Sequence, residues 1–145
     1  MKAENYTKVE FPSCSANEGF ARAAAACFAA QMDPTLDELN DIKTAVSEAV
    51  TNAIIHGYPN KIGKVTMRLT IKEGEILEIV VRDWGVGIPD VDKARQPMYT
   101  TGNEERSGMG FTIMESFMDG MTVRSKPGKG TTVILQKVLE ARQEA

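Results

Sequence analysis

Apolar and polar residues alternate from Tyr6 to Phe11 (Tyr-Thr-Lys-Val-Glu-Phe), the two-residue period of a half-buried strand. The pattern then turns helical. An Ala-rich stretch runs from the capping-box pattern Ser15-Ala-Asn-Glu18 to about Met32, where Asp33-Pro34 breaks it. A second capping-box pattern, Thr35-Leu-Asp-Glu38, opens a long helix through roughly Ile55, ended by Gly57, Pro59 and Asn60. Clean alternation returns from Gly63 to Lys72 and, after a Glu73-Gly74 turn, from Ile76 to Arg82, which reads as a hairpin. Pro89 to Arg106 has little apolar periodicity, and a stretch of that length reads as a functional loop. Gly110 to Met118 suits a helix, and Met121 to Ser125 and Thr131 to Val138 read as strands around Lys126-Pro-Gly-Lys-Gly130. The polar tail from Leu139 is expected to fray.

This order predicts an α+β fold: a two-layer sandwich with a mostly antiparallel mixed sheet and helices on one face. The other sheet face is left for solvent or a partner. The 145 residues fit one domain, spanning 1–145. With 17 basic and 20 acidic residues the net charge is -3, so the balance gives no reason to expect direct nucleic-acid binding. The longest apolar stretch, around Ala23 to Ala30, is too short to span a membrane, and the charged first ten residues lack a signal pattern. The expected location is cytoplasmic. Cys14 and Cys27 show neither a CxxC nor a metal spacing and read as reduced thiols, with Cys27 buried in the first helix.

Against this background some polar residues need a reason. Glu48 and Asn52, four apart, share one face of a helix whose neighbours Ala45, Val46, Ala49, Val50, Ala53 and Ile54 are apolar. A carboxylate in a cleft can take a proton from an attacking hydroxyl, and an amide oxygen is a hard ligand suited to Mg²⁺. Together they suit phosphoryl transfer; alone they also suit a salt bridge and a solvent-facing amide. Asp83 ends a strand before Gly85-Val-Gly87, where a carboxylate could accept from an exocyclic amine such as that of adenine, and bare glycines would admit a flat base. An ordinary strand-end turn fits those residues as well. Trp84 either covers the base or packs on its neighbours. Ser107-Gly108-Met109-Gly110 stands at a loop-to-helix junction, suited to phosphates or to a hinge and cap, with Arg106 beside it. Thr131 and Thr132 open the last strand. His56 reads as a cationic helix cap, and Met109, Met114, Met118 and Met121 as core filling.

In this order the pieces resemble the GHKL family of ATPases and kinases. Glu48 to Gly57 resembles its N box, Asp83 to Gly87 its G1 box, Gly108 to Gly110 its G2 box, and Gly130-Thr131 its last motif. More narrowly, Ser47 to Tyr58, Ala94 to Thr101 and Glu105 to Glu115 are similar to the serine-kinase anti-sigma factors of spore-forming bacteria. The resemblance implies the GHKL (Bergerat) ATP-binding fold with ATP and Mg²⁺ as cofactors. By the same resemblance Glu48 is the general base, Asn52 the Mg²⁺ ligand, Asp83 the adenine reader, and Arg106 the contact to the γ-phosphate. Gly85, Gly87, Ser107, Gly108 and Gly110 shape the pocket, Thr131 lies near the base, and Pro89 to Ser107 form a lid. The implied partners are a sporulation sigma factor of the sigma F type, which Arg22 in the first helix would meet, and an anti-anti-sigma factor phosphorylated on serine. A homodimer is implied too. The competing readings are a stress-response switch kinase with another sigma factor and an idle ATP-binding module that only sequesters. A sensor histidine kinase is disfavoured, because the single histidine, His56, lies inside the N-box-like helix.

Overall fold

The computed structural model describes residues 3–96 and 110–139. Its strands are β1 (Ala3–Pro12), β2 (Lys64–Lys72), β3 (Ile76–Asp83), β4 (Gly120–Lys126) and β5 (Gly130–Val138). They form one sheet in the order β1-β2-β3-β5-β4, and every adjacent pair is antiparallel. The hairpin between β2 and β3 turns at Glu73 and Gly74, both at positive φ (54° and 70°), the mirror-image turn whose twist matches paired strands.

Helices α1 (Asn17–Ala29), α2 (Leu36–Asn52) and α4 (Gly110–Phe117) cover one face, and α2 packs against both of the others. Alternation along the strands sends Val65, Met67, Leu69 and Ile71 of β2 and Leu77, Ile79 and Val81 of β3 into the core with Ile42, Val46, Val50 and Met114. Each such side chain contributes roughly 1.5–3 kcal/mol of burial. Met114 and Met118 are buried as core filling.

The last turns of α2 carry Glu48 and Asn52, and the helix is defined at both ends. Thr35 caps it reciprocally: its hydroxyl accepts from the Glu38 amide at 3.1 Å, and the Glu38 carboxylate accepts from the Thr35 amide at 2.8 Å. At the other end the helix widens into a π-turn over Ala53–Gly57 before the chain leaves at Tyr58.

Four expectations need correction. The Ser15–Glu18 capping box does not form: Ala16 precedes α1 already in helical conformation, with no side-chain cap. The Glu18 carboxylate instead accepts from Ser47 Oγ at 2.7 Å and faces Arg22 at 3.7 Å, so packing against α2 outcompetes a local bond. Cys27 is exposed, on the outward side of α1. Leu139 does not fray; it is buried, and its amide donates to the Glu75 carbonyl at 2.7 Å. Within the segment read as a loop, Val91–Ala94 form a short helix α3, capped by Asp90 and tied to α4 by an Arg95–Glu115 ion pair of 2.7 Å.

Candidate nucleotide site

Helix α2 carries Glu48 and Asn52 on the side that meets the start of α4. A Cβ added at Gly110 would stand 3.1 Å from Asn52 Nδ2, 3.3 Å from Asn52 Oδ1 and 3.4 Å from Glu48 Oε1. The carboxylate, the amide and the last glycine of the G2-like motif therefore meet at one corner, which a side chain at Gly110 would crowd.

The continuation of the same helix reaches the second group. Gly57, closing the π-turn, lies against Asp83: a Cβ there would come within 2.8 Å of the Asp83 Cγ. A Cβ on Gly85 would overlap the Gly57 carbonyl, and one on Gly130 would overlap the Asp83 carbonyl. These backbones touch, and only glycine permits it. Gly87, at φ 77°, turns the chain under Lys126.

Asp83 is 4% exposed. Its Oδ1 accepts from the Gly85 amide at 2.9 Å. Burial pushes its carboxyl above the ordinary 3.8, and the backbone amides of Gly85 and Thr131 pull it part of the way back. When ionised, a carboxylate held in this way accepts hydrogen bonds only. Thr131 stands across the sheet from Asp83, and its Oγ1 lies 2.8 Å from Ser125 Oγ. Ser125 donates to the Gly130 carbonyl at 2.9 Å and accepts from the Ile88 amide at 2.7 Å, so it knits the G1-like turn to the last hairpin. Trp84 is exposed and carries two cations over its ring, Lys64 Nζ at 4.3 Å and the Arg82 guanidinium at 4.5 Å from the ring centre.

Arg106, Ser107 and Gly108 lie outside the described residues, as does the lid beyond Gln96. Arg22 is on the neighbouring helix. It lines, with Asn40, Lys43, Thr44, Ser47 and Glu48, an open depression of about 270 Å³. Glu48 thus borders both this depression and the Gly110 corner. Sequence reasoning missed Ser125, Tyr58 and Lys43. Ser125 was detectable as a polar residue at a core-facing position of β4, in step with Met121 and Val123.

Among the described residues no cluster of three or more His, Cys, Asp or Glu could hold a metal ion. Magnesium bound beside a nucleotide needs few protein ligands, since phosphates and waters supply the rest. One amide oxygen at the Gly110 corner is compatible with that.

The histidine kinase-like ATPase domain matches residues 11–137 of the chain. The anti-sigma F factor of Clostridium kluyveri is 55% identical over 139 residues, covering 95% of this chain and 97% of the relative. The chain belongs to the anti-sigma F factor family. The anti-sigma F factor of Geobacillus kaustophilus is 57% identical over 134 residues, covering 92% of each. Among solved structures, the RsbU and RsbW domains of a Mycobacterium tuberculosis protein superpose with a TM-score of 0.66 at 18% identity, covering 93% of this chain and 32% of that one. A blue-light activated histidine kinase from Erythrobacter litoralis superposes with a TM-score of 0.60 at 24% identity, covering 86% of this chain and 41% of that one. These two likenesses show the fold, an α+β sandwich. No helix among the described residues is long and apolar enough to cross a membrane.

Proposed function

We propose that the chain is an ATP-dependent protein-serine kinase and anti-sigma factor. It binds and inhibits a sporulation sigma factor of the sigma F type, and it phosphorylates an anti-anti-sigma factor on serine. One observation carries this reading: Glu48 borders the corner made by Asn52 and Gly110 and also lines the depression that holds Arg22. A protein docked on Arg22 would bring a side chain to the carboxylate that faces the nucleotide corner.

In this reading Asp83 accepts a hydrogen bond from the adenine amine, and Gly85, Gly87 and Gly110 let the backbone close on the nucleotide. Ser107 and Gly108 line the phosphates, and Thr131 sits near the base. Asn52 would hold Mg²⁺, which neutralises phosphate charge when bound. Glu48 takes the proton of the acceptor serine hydroxyl as its oxygen attacks the γ-phosphorus. The bond from phosphorus to the bridging oxygen breaks, ADP leaves, and Arg106 stabilises charge on the transferred group. The protein works as a homodimer in the cytoplasm, and Arg22 belongs to the surface that meets both protein partners.

The test is transfer of label from γ-labelled ATP with Mg²⁺ to a serine of the anti-anti-sigma protein. Wild-type transfer that is lost in Glu48→Gln, with ATP still bound, is the expected result. Transfer at the wild-type rate by that variant would refute the base assignment. ATP binding without any transfer by the wild type would leave a sequestering module in place of a kinase.

A further inference from the structure

We propose that Tyr58 is a positioning residue for base recognition: its buried hydroxyl is built into the end of the β2–β3 ladder and holds the Asp83-Trp84-Gly85 turn where the carboxylate can read an exocyclic amine. The inference rests on the nucleotide reading above and adds a residue to it.

The register makes the case. Val65 pairs with Asp83 in the antiparallel ladder, so the next position out would pair Lys64 with Trp84. There the Tyr58 hydroxyl stands between the strands, accepting from the Trp84 amide at 2.7 Å and donating to the Lys64 carbonyl at 2.6 Å. One oxygen thus links the donor and acceptor that a further rung would have joined. It holds the ends of β2 and β3 at a set separation just where the chain turns at Asp83. One position further out, Gly63 leaves the space for the ring: a Cβ there would overlap Tyr58 Cε1. Gly63 is fixed in turn by Ser13, whose amide donates to the Gly63 carbonyl at 2.8 Å and whose Oγ accepts from the Gly63 amide at 2.9 Å. Burial pushes the Tyr58 hydroxyl above its ordinary titration range, which keeps its proton available for Lys64.

Without the hydroxyl the two strands must close together, or the Trp84 N–H and Lys64 C=O must lose their partner. Either change moves the turn that anchors Asp83. Neither Tyr58 bond involves Glu48 or Asn52, which lie on α2.

The experiment compares wild type with Tyr58→Phe, which keeps the ring and removes only the oxygen. Calorimetric titration with ATP and GTP is expected to show ATP binding weakened about tenfold, equivalent to 1.4 kcal/mol. The preference for ATP over GTP should shrink by a similar factor, and kcat at saturating ATP should stay at the wild-type value. The change in base preference is the readout that a merely structural hydroxyl would not move. Unchanged ATP affinity and unchanged ATP-to-GTP ratio would overturn the proposal. A wild type that binds no ATP would overturn the nucleotide reading itself, and this one with it. Should Tyr58→Phe fail to fold, amide exchange in the wild type decides. A slow Trp84 amide, slowed further by ATP, supports the clamp; one that exchanges as fast as exposed loop amides overturns it.

Discussion

Replacing Gly110 by alanine should separate stability from catalysis. The new methyl would stand 3.1 Å from Asn52 Nδ2, so the amide must retreat by about 0.3–0.5 Å to reach ordinary contact distance. Alanine is the better helix former by up to about 1 kcal/mol in a helix interior, and by less at the first residue of α4. That gain roughly offsets the crowding, so Tm should stay within about 2 °C of wild type or rise slightly. Activity should move the other way. A misplacement of 1 Å near reacting groups costs about 100-fold, so a third of that costs about fivefold. Gly128→Ala is the control. Gly128 has φ 77° and nothing within 4 Å of an added Cβ, so alanine there is strained by about 1–2 kcal/mol yet makes no contact with Asn52 or Glu48. Thermal melts and initial rates of phosphoryl transfer should therefore rank the two variants in opposite orders. Wild-type transfer by Gly110→Ala, or a larger rate loss in Gly128→Ala, would refute the convergence of Asn52 and Gly110 as the rate-sensitive feature.

The remaining predictions test other contacts. Because the folded carboxyl of Asp83 titrates above 3.8, the folded state holds its proton over a window where the unfolded chain has lost it. Stability should fall as pH rises through that window and level off above the folded pKa. Asp83→Asn should flatten that segment in urea titrations of the nucleotide-free protein and abolish ATP binding; an unchanged pH profile would remove Asp83 as its cause. Ser47→Ala frees Glu18 from α2 and loosens the partly exposed Arg22. Stability should change by less than about 1 kcal/mol, with sigma-factor affinity reduced several-fold by surface plasmon resonance; equal affinity would argue that Arg22 needs no such support. Arg95→Glu breaks the 2.7 Å pair with Glu115, which is largely screened by solvent, so the loss should be about 0.5 kcal/mol. Adding Glu115→Arg should recover it in a double-mutant cycle, and no recovery would mean that the pair contributes nothing.

Much of this fold was legible because its signals are local and periodic. Strand alternation located β2 and β3, and Glu73-Gly74 marked their turn, where both residues take the positive φ that suits the twist of paired strands. Thr35–Glu38 formed its capping box because both halves of that bond pair are local to the first turn of α2. The identical pattern at Ser15–Glu18 failed because Glu18 is within reach of Ser47, 29 residues away. Cys27 was misread for a different reason: in a helix as rich in alanine as α1, periodicity hardly distinguishes the inner from the outer face. The candidate site was legible as a set of motifs in order, but not as a geometry. The closeness of Gly57 to Asp83, the Tyr58 bridge and the depression shared by Arg22 and Glu48 all arise between elements distant in sequence, where local pattern carries no signal.

The π-turn at Ala53–Gly57 makes helix α2 a phase-setting device. Asn52 faces the corner at Gly110, and Gly57, five residues on, faces Asp83. The angle between those two directions depends on how many residues the intervening turn contains. Deleting one residue there would let the segment relax to an ordinary α-turn and swing everything beyond it by about 100°. The acid-amide corner and the buried aspartate would then be intact but out of register, with no contact residue of either changed. The length of that one turn is therefore as specific a requirement as the identity of any side chain it separates.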